Sequence, residues 1–386
     1  MTEAISIPAV GVPAAPGQRR RIGGLDVLRG MAALAVLVYH YTYNYQRLFH
    51  ERKTSSPLEY GAMGVELFFI ISGFVIFMTL EKTRRPIDFV RSRFSRLYPA
   101  YWAAVILTFL VLTVFKLPEF PGVDHHKYHP TLSRALLNLT MCQEMFGKGD
   151  VDAVYWTLQL ELCFYFLMFI LFSWKQLARV EFYLLGVLAL SEVLDWKLPA
   201  GAPLLNHHHL LDILVSDLKL LTVTSLEPRP HPRLHFFIIG IMLYKLSTHF
   251  NPRHLIVLGI CLAYSAFREF GAHGTDFFFT LGFTALAFSA ARGWLAPLEN
   301  RVTLFLGTIS YSLYLTHQNI GYEILHALER RGVSSVFAIL VAASVALVVA
   351  TVLTYAIEQP ALRFFRGKKA VAHGNVTREP VSVVRG

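Results

Sequence analysis

The chain has 386 residues, of which 54% are hydrophobic and 16% are Asp, Glu, Lys or Arg, against about 25% charged in a soluble domain. Thirty Phe and seventeen Tyr add an apolar excess that one soluble core cannot hide. This excludes an ordinary cytosolic enzyme, a disordered chain and a disulfide scaffold. A net charge of +10 would suit nucleic acid in a soluble protein, but in a membrane protein basic residues mark the cytoplasmic face, so no nucleic-acid partner is expected.

Residues 1–22 read as a disordered tail, small and Pro/Gly-rich, ending in Arg19-Arg20-Arg21. Its charges follow the apolar stretch, the reverse of a signal peptide. Hydropathy then predicts about ten transmembrane helices, each near the ~20 residues that cross a ~30 Å core. They run over 25–45, 62–81, 97–116, 153–173, 180–196, 234–248, 254–270, 276–291, 302–326 and 334–358. The expected fold is an all-α polytopic membrane bundle over 23–366, followed by a second tail, 367–386. The segment 210–222 is apolar but short and carries Asp212, Asp217 and Lys219, the pattern of an interfacial or re-entrant helix. Lys and Arg collect before the first span, between spans two and three, and after the last. With an even number of spans this puts both termini in the cytoplasm and the loops 117–152 and 197–233 outside. Three Cys lack metal or disulfide spacing. His125, His126, His129 and His207–His209 lack an acidic or Cys partner at ligand spacing, so no metal site is expected.

Ionisable groups inside spans are expensive, and each is a candidate site residue. Arg29 and His40 lie eleven positions apart in the first span, hence on one helix face and roughly 16 Å apart along it. Glu161 lies about eight residues into the fourth span, roughly 12 Å from its outer end. His40 reaches a similar depth from the other side, so the two are expected to pair, the carboxylate orienting an imidazole general base. Structural readings stand beside these: Arg29 snorkelling, His40 in one interhelical hydrogen bond, Glu161 a buried carboxyl bonded to a Tyr. Arg93 and Arg96, three apart on a helical turn before Pro99, could hold phosphates or serve only as a topology signal. Glu66 near the outer end of span two could line an acceptor entrance or cap a helix, and Ser72-Gly73 reads as close helix packing. Ser310, Tyr314 and His317, with Tyr311 adjacent, form a polar stripe in span nine that could bind acceptor hydroxyls or join helices. Glu358-Gln-Pro360 is expected to end the last helix.

Taken in order, LDVLRGMAALAVLVYH (25–40), GVELFFIISGF (64–74), RFSRLYPAYW (93–102), YWTLQLE (155–161) and GTISYSLYLTH (307–317) resemble the bacterial membrane acyltransferase-3 family, over about residues 22 to 366. The family includes acetyltransferases of O-antigen, exopolysaccharide and Nod factors and acyltransferases of macrolides. The resemblance implies that His40 is the catalytic His with Arg29 its upstream partner, that Arg93 and Arg96 serve an acyl-CoA donor, and that Glu161 is the acidic residue of a Trp-Ser-Leu-x-x-Glu pattern. Here Thr157 replaces the Ser, and Glu66 stands where Asp is common. Many relatives carry a further C-terminal SGNH hydrolase-like domain. None is visible in this sequence, so any second transfer step is expected to use another protein.

The expected activity is acyl transfer, acetyl first among candidates, from cytoplasmic acyl-CoA to a hydroxyl of a glycan, a lipid-linked saccharide or a macrolide, in the bacterial inner membrane. Acyl-CoA is a co-substrate and no bound cofactor is expected. The other partners are membrane lipids. His40 could act as general base or be acylated itself. Competing classes are a proton-coupled secondary transporter, which leaves Arg93 and Arg96 without a role, and a non-catalytic polysaccharide export partner.

Overall fold

The computed structural model describes residues 22–50, 56–115, 129–197, 233–273 and 275–365. Among them every regular element is a helix. Both tails, the 210–222 segment, His125, His126 and His207–His209 lie outside the described residues.

The first helix, α1 (Gly23–Tyr39), passes through a π-helical turn (His40–Asn44) into α2 (Tyr45–Phe49). A 3₁₀ turn (Pro57–Met63) leads into α3 (Gly64–Glu81), and α4 (Pro86–Phe115) follows. The short α5 (Leu132–Asn138) and two 3₁₀ turns precede α6 (Trp156–Ser173). Then come α7 (Val180–Lys197), α8 (Leu234–Thr248), α9 (Pro252–His273) and α10 (Thr275–Ala291). The last are α11 (Arg301–Thr316), α12 (Gln318–Glu329) and α13 (Ser335–Leu353), which continues through a second π turn (Thr354–Glu358). Among the described residues, four helical stretches are long and apolar enough to cross a membrane: Pro57–Glu81, Pro86–Phe115, Ala153–Ser173 and Ser335–Phe365. Leu234–Thr248 and Thr275–Ala291 are shorter apolar helices.

Three boundaries differ from expectation. The basic segment before span three is not a loop: α4 runs through it, with Pro99 inside the helix. A proline removes one i→i−4 bond, and the surrounding apolar helix holds its course. The single span expected over 302–326 is broken at His317, where α11 ends and α12 begins. Glu358 does not end the last helix, which continues to Phe365.

Two backbone-to-backbone contacts set the frame. A Cβ on Gly73 would overlap the carbonyl oxygen of Phe237, and one on Gly240 the carbonyl oxygen of Ile70, so α3 and α8 cross through reciprocal glycines. Helices α1 and α11 do the same through Gly30 and Gly307, the latter against the Asp26 carbonyl. Small residues at crossings let helices without a hydrophobic drive between them gain contact area. Helix α1 therefore packs on α11 and α3, whereas α6 packs on α3 and α4. A second core gathers Leu37, Tyr41, Tyr45, Ile309, Leu313, Tyr322 and the i+4 alanines of α13, from Ala338 to Ala350.

Candidate functional site

A cavity of about 120 Å³ lies among α1, α3, α4, α6 and α11. One wall is apolar, formed by α3 from Val65 to Ile76. The others bring together Arg29, Arg93, Arg96, Glu161, Ser310, Tyr311 and Tyr314, seven of the ten residues singled out from sequence. His40, His317 and Glu66 stand outside the lining.

The arginines differ in how their charges are met. Arg96 is ion-paired with Glu358, whose side chain is 2% exposed. Ser312 donates to the other carboxylate oxygen at 3.3 Å, and Thr354 lies 2.9 Å from Ser312. The second π turn thus delivers a counter-charge, so Arg96 is not a free phosphate ligand. Its guanidinium also lies 5.8 Å from the Tyr311 ring centre. Arg93 sits between the rings of Phe89 and Tyr165, at 5.8 and 5.9 Å. It donates to Ser92 at 3.2 Å, and its buried Nε has no hydrogen-bond partner. Arg29 makes no hydrogen bond or ion pair among the described residues, while its charge is within reach of Asp26, Glu161 and Glu358. Two guanidiniums with unmet donors lining one cavity suit an anion.

Glu161 accepts a hydrogen bond from Ser72 at 2.7 Å and another from Tyr165. It makes none with His40, which corrects the expected pairing. The reason is depth. The loop before α6 descends along the outer face of α4, to where Tyr98 donates to the Thr140 carbonyl (3.1 Å) and Trp102 to that of Leu139 (2.8 Å). The helix therefore begins below the outer end that its sequence position implied. Tyr314 lies 2.9 Å from Thr157, which fixes those two at one level. Glu161 is four residues to one side of that level and His317 three to the other, roughly 10 Å apart along the axis.

The partner of His40 is His317, Nδ1 to Nε2 at 3.0 Å, with ring centres 4.9 Å apart. The neighbouring carbonyls decide the tautomers. His40 Nδ1 lies 2.9 Å from the Val36 oxygen, and His317 Nδ1 lies 2.9 Å from the Tyr314 oxygen and 3.1 Å from that of Leu313. A carbonyl only accepts, so both Nδ1 atoms carry hydrogen. His40 Nδ1–H is then shared between Val36 and the lone pair of His317 Nε2. The lone pair of His40 Nε2 meets no protein hydrogen-bond donor among the described residues, the state a general base needs.

The break in the helix is itself held in place. Tyr41 donates to the His317 carbonyl at 2.6 Å, and Gly321 admits the Tyr41 ring where any Cβ would overlap it. Asp152, fully buried, accepts from the Asn319 backbone N–H at 3.1 Å, and the Asn319 amide donates to the Val151 carbonyl at 3.0 Å. The π turn at His40–Asn44 belongs to the same pattern, since such turns recur where a helix must aim a functional side chain.

The other candidates are engaged elsewhere. Glu66 pairs with Arg233 at 3.4 Å, whose guanidinium lies 4.5 Å over Trp156. Ser310 donates to its own helix at Gly307 (2.9 Å), and Tyr311 to the Leu97 carbonyl on α4 (3.0 Å). Their hydroxyls serve helix packing while their side chains line the cavity. The structural alternatives for Glu161 and His40 hold, a carboxylate bonded to a Tyr, here Tyr165, and an imidazole in an interhelical hydrogen bond. Sequence reasoning missed Glu358 as a buried counter-ion, Ser72 as a further partner of Glu161, and the identity of His317 as the partner of His40. The only signal for the last was its place at the end of the polar stripe.

Residues 22–357 match the model of an acyltransferase domain, the third of the acyltransferase families so named. The chain is 24% identical to a putative acetyltransferase of Acidianus two-tailed virus, over 75% of this chain and 80% of that protein. It is 31% identical to the exopolysaccharide production protein ExoZ of Rhizobium meliloti over 31% of this chain and 37% of the relative. It is 26% identical to nodulation protein 10 of Rhizobium leguminosarum over 43% and 48%. No solved structure matches the chain.

Proposed function

The chain belongs to the acyltransferase-3 family and is a membrane acyltransferase, and from that premise we propose that it carries an acyl group, acetyl in the simplest case, from cytoplasmic acyl-CoA to a hydroxyl of a glycan or related acceptor. The observation that carries this reading is the His40–His317 pair, His317 lying three residues past Tyr314, which lines a cavity that also holds Arg29 and Arg93.

In this reading the phosphates of the donor dock on Arg29 and Arg93, whose donors are unmet, and Arg96 sets the shape of the site through its pair with Glu358. The pantetheine arm lies along the apolar wall of α3, bringing the thioester toward Tyr314 and His40. The Nε2 atom of His40 takes the proton of the acceptor hydroxyl as its oxygen attacks the thioester carbon. The tetrahedral adduct collapses, the carbon–sulfur bond breaks, and the thiolate of CoA leaves with the proton held by His40. His317 accepts the Nδ1–H of His40 throughout and so favours the imidazolium that forms. Glu161, bonded to Ser72 and Tyr165, balances the arginine charge before the donor arrives. The apolar wall keeps water from the thioester.

The reading extends to topology. About ten crossings, with the arginine-bearing ends of α1 and α4 on the cytoplasmic side of the bacterial inner membrane, fit the distribution of Lys and Arg. The test is CoA release from acetyl-CoA by the purified protein in liposomes with a surface-glycan acceptor. Wild type is expected to release CoA and label the glycan, and His40→Ala to do neither. Undiminished transfer by His40→Ala would reject the base assignment.

A further inference from the structure

The π turn that begins at His40 also determines what lies on its far side, away from the arginine cavity. The Tyr39 ring meets the His40 ring edge-on at 4.9 Å and stacks on Tyr43 at 6.0 Å. The Tyr39 hydroxyl donates to Asn44 Oδ1 at 3.4 Å. Asn44 is the hub of this column. Its Oδ1 also accepts from Arg47 Nη2 at 3.0 Å, and its Nδ2 donates to the Tyr322 hydroxyl at 2.7 Å.

Arg47 is half-buried. Asn44 holds one of its terminal nitrogens, its Nε is buried without a hydrogen-bond partner, and no carboxylate pairs with it among the described residues. A guanidinium drawn out of bulk water without a counter-charge is costly, and Asn44 aims a planar fork that suits a carboxylate or phosphate. Arg47 lies seven residues beyond His40, roughly 10 Å along the axis, and its charge reaches the His40 ring. The two contact points are therefore spaced for the ends of one small saccharide, with Tyr39 and Tyr43 as aromatic surface between them.

We propose that Arg47 binds an oxyanion of the acceptor, the carboxylate of an acidic sugar or the phosphate of a lipid-linked glycan, while the acceptor hydroxyl lies at His40 Nε2. The hydroxyl's place rests on the base role of His40; the anion site at Arg47 does not.

Binding without turnover tests it, using the full chain in nanodiscs. One probe is a galacturonate tetramer in solution, another is polyprenyl diphosphate in the bilayer, and a neutral galactose tetramer is the control. One anionic probe is expected to bind the wild type and to lose at least 10-fold in affinity in Arg47→Gln, with the control unmoved. Which probe responds identifies the source of the anion. Arg47→Lys, which keeps the charge and loses Nε, is expected to fall between the two and carries the test should the Gln variant unfold. His40→Ala should still bind the anionic probe while losing transfer, which separates failure of this site from failure of the base reading. Binding of neither anionic probe by the wild type, equal binding by Arg47→Gln, or an equal loss for the neutral control would overturn the proposal.

Discussion

His317→Ala removes the acceptor at 3.0 Å from His40 Nδ1 and leaves the Val36 carbonyl at 2.9 Å. The tautomer of His40 therefore survives, and Nε2 keeps its lone pair. What is lost is one hydrogen bond to the imidazolium that forms as the acceptor proton is taken. A hydrogen bond to a charged group contributes about 1.5–3 kcal/mol, and 1.36 kcal/mol of barrier is tenfold in rate. The expected loss in kcat is thus about 10- to 100-fold, against about 10²- to 10⁴-fold for His40→Ala. His317→Gln, whose amide oxygen can accept from Nδ1–H, should recover part of it. The assay is thiol release from acetyl-CoA at saturating donor and acceptor, with acyl-CoA binding measured in parallel to establish that the donor site is intact. The double variant should be no slower than His40→Ala alone, because the two act as one unit. A His317→Ala enzyme with wild-type kcat, or losses that add in the double variant, would refute the pairing as a catalytic arrangement.

Arg29→Ala and Arg93→Ala should each weaken acyl-CoA binding at least tenfold with little change in thermal midpoint, read by ligand binding and by unfolding in detergent; equal binding would leave them as topology signals. Glu358→Gln removes the counter-charge of the half-buried Arg96 guanidinium and should destabilise the protein by about 1.5–3 kcal/mol, seen as a fall in thermal midpoint that the paired change Arg96→Met with Glu358→Gln partly reverses. The carboxyl of Asp150, buried beside Glu144, is pushed up to about 8 by loss of water. A raised acid holds its proton in the folded state after the unfolded chain has lost it, so its contribution to stability is full below about pH 4 and falls away as pH rises through 8. Asp150→Asn, which keeps the oxygen that accepts from Gln143, should therefore raise the thermal midpoint more at pH 8.5 than at pH 5. An equal effect at both would contradict the assignment.

The helical membrane class was legible because it rests on composition and on long apolar runs, which no tertiary contact can reverse. Much of the cavity was legible for a related reason. Arg29, Arg93, Arg96, Glu161 and Tyr314 are polar groups in apolar helices, which must face inward, and the four helices that carry them share one interior. Pairing was not legible, because it depends on depth. The register of α6 was set by a loop that descends to the level of Tyr98 and Trp102, and nothing in 139–155 announces how far it descends. Glu358 looked like a helix end since Pro360 follows it, yet a π turn absorbs the strain and carries the carboxylate to Arg96. The break at His317 left no Pro or Gly at the site. It comes from contacts made elsewhere: Tyr41 on its carbonyl, and Asp152 on the N–H of Asn319.

The most direct test of the account is a sided transfer assay. Labelled acetyl-CoA is placed on the arginine-bearing side of proteoliposomes, and the glycan acceptor is sealed on the other. With wild-type protein, labelled glycan should accumulate in the lumen while free CoA appears outside in equal amount, and His40→Ala should give neither. Label reaching the glycan at the wild-type rate through His40→Ala, or intact acetyl-CoA found in the lumen, would contradict it.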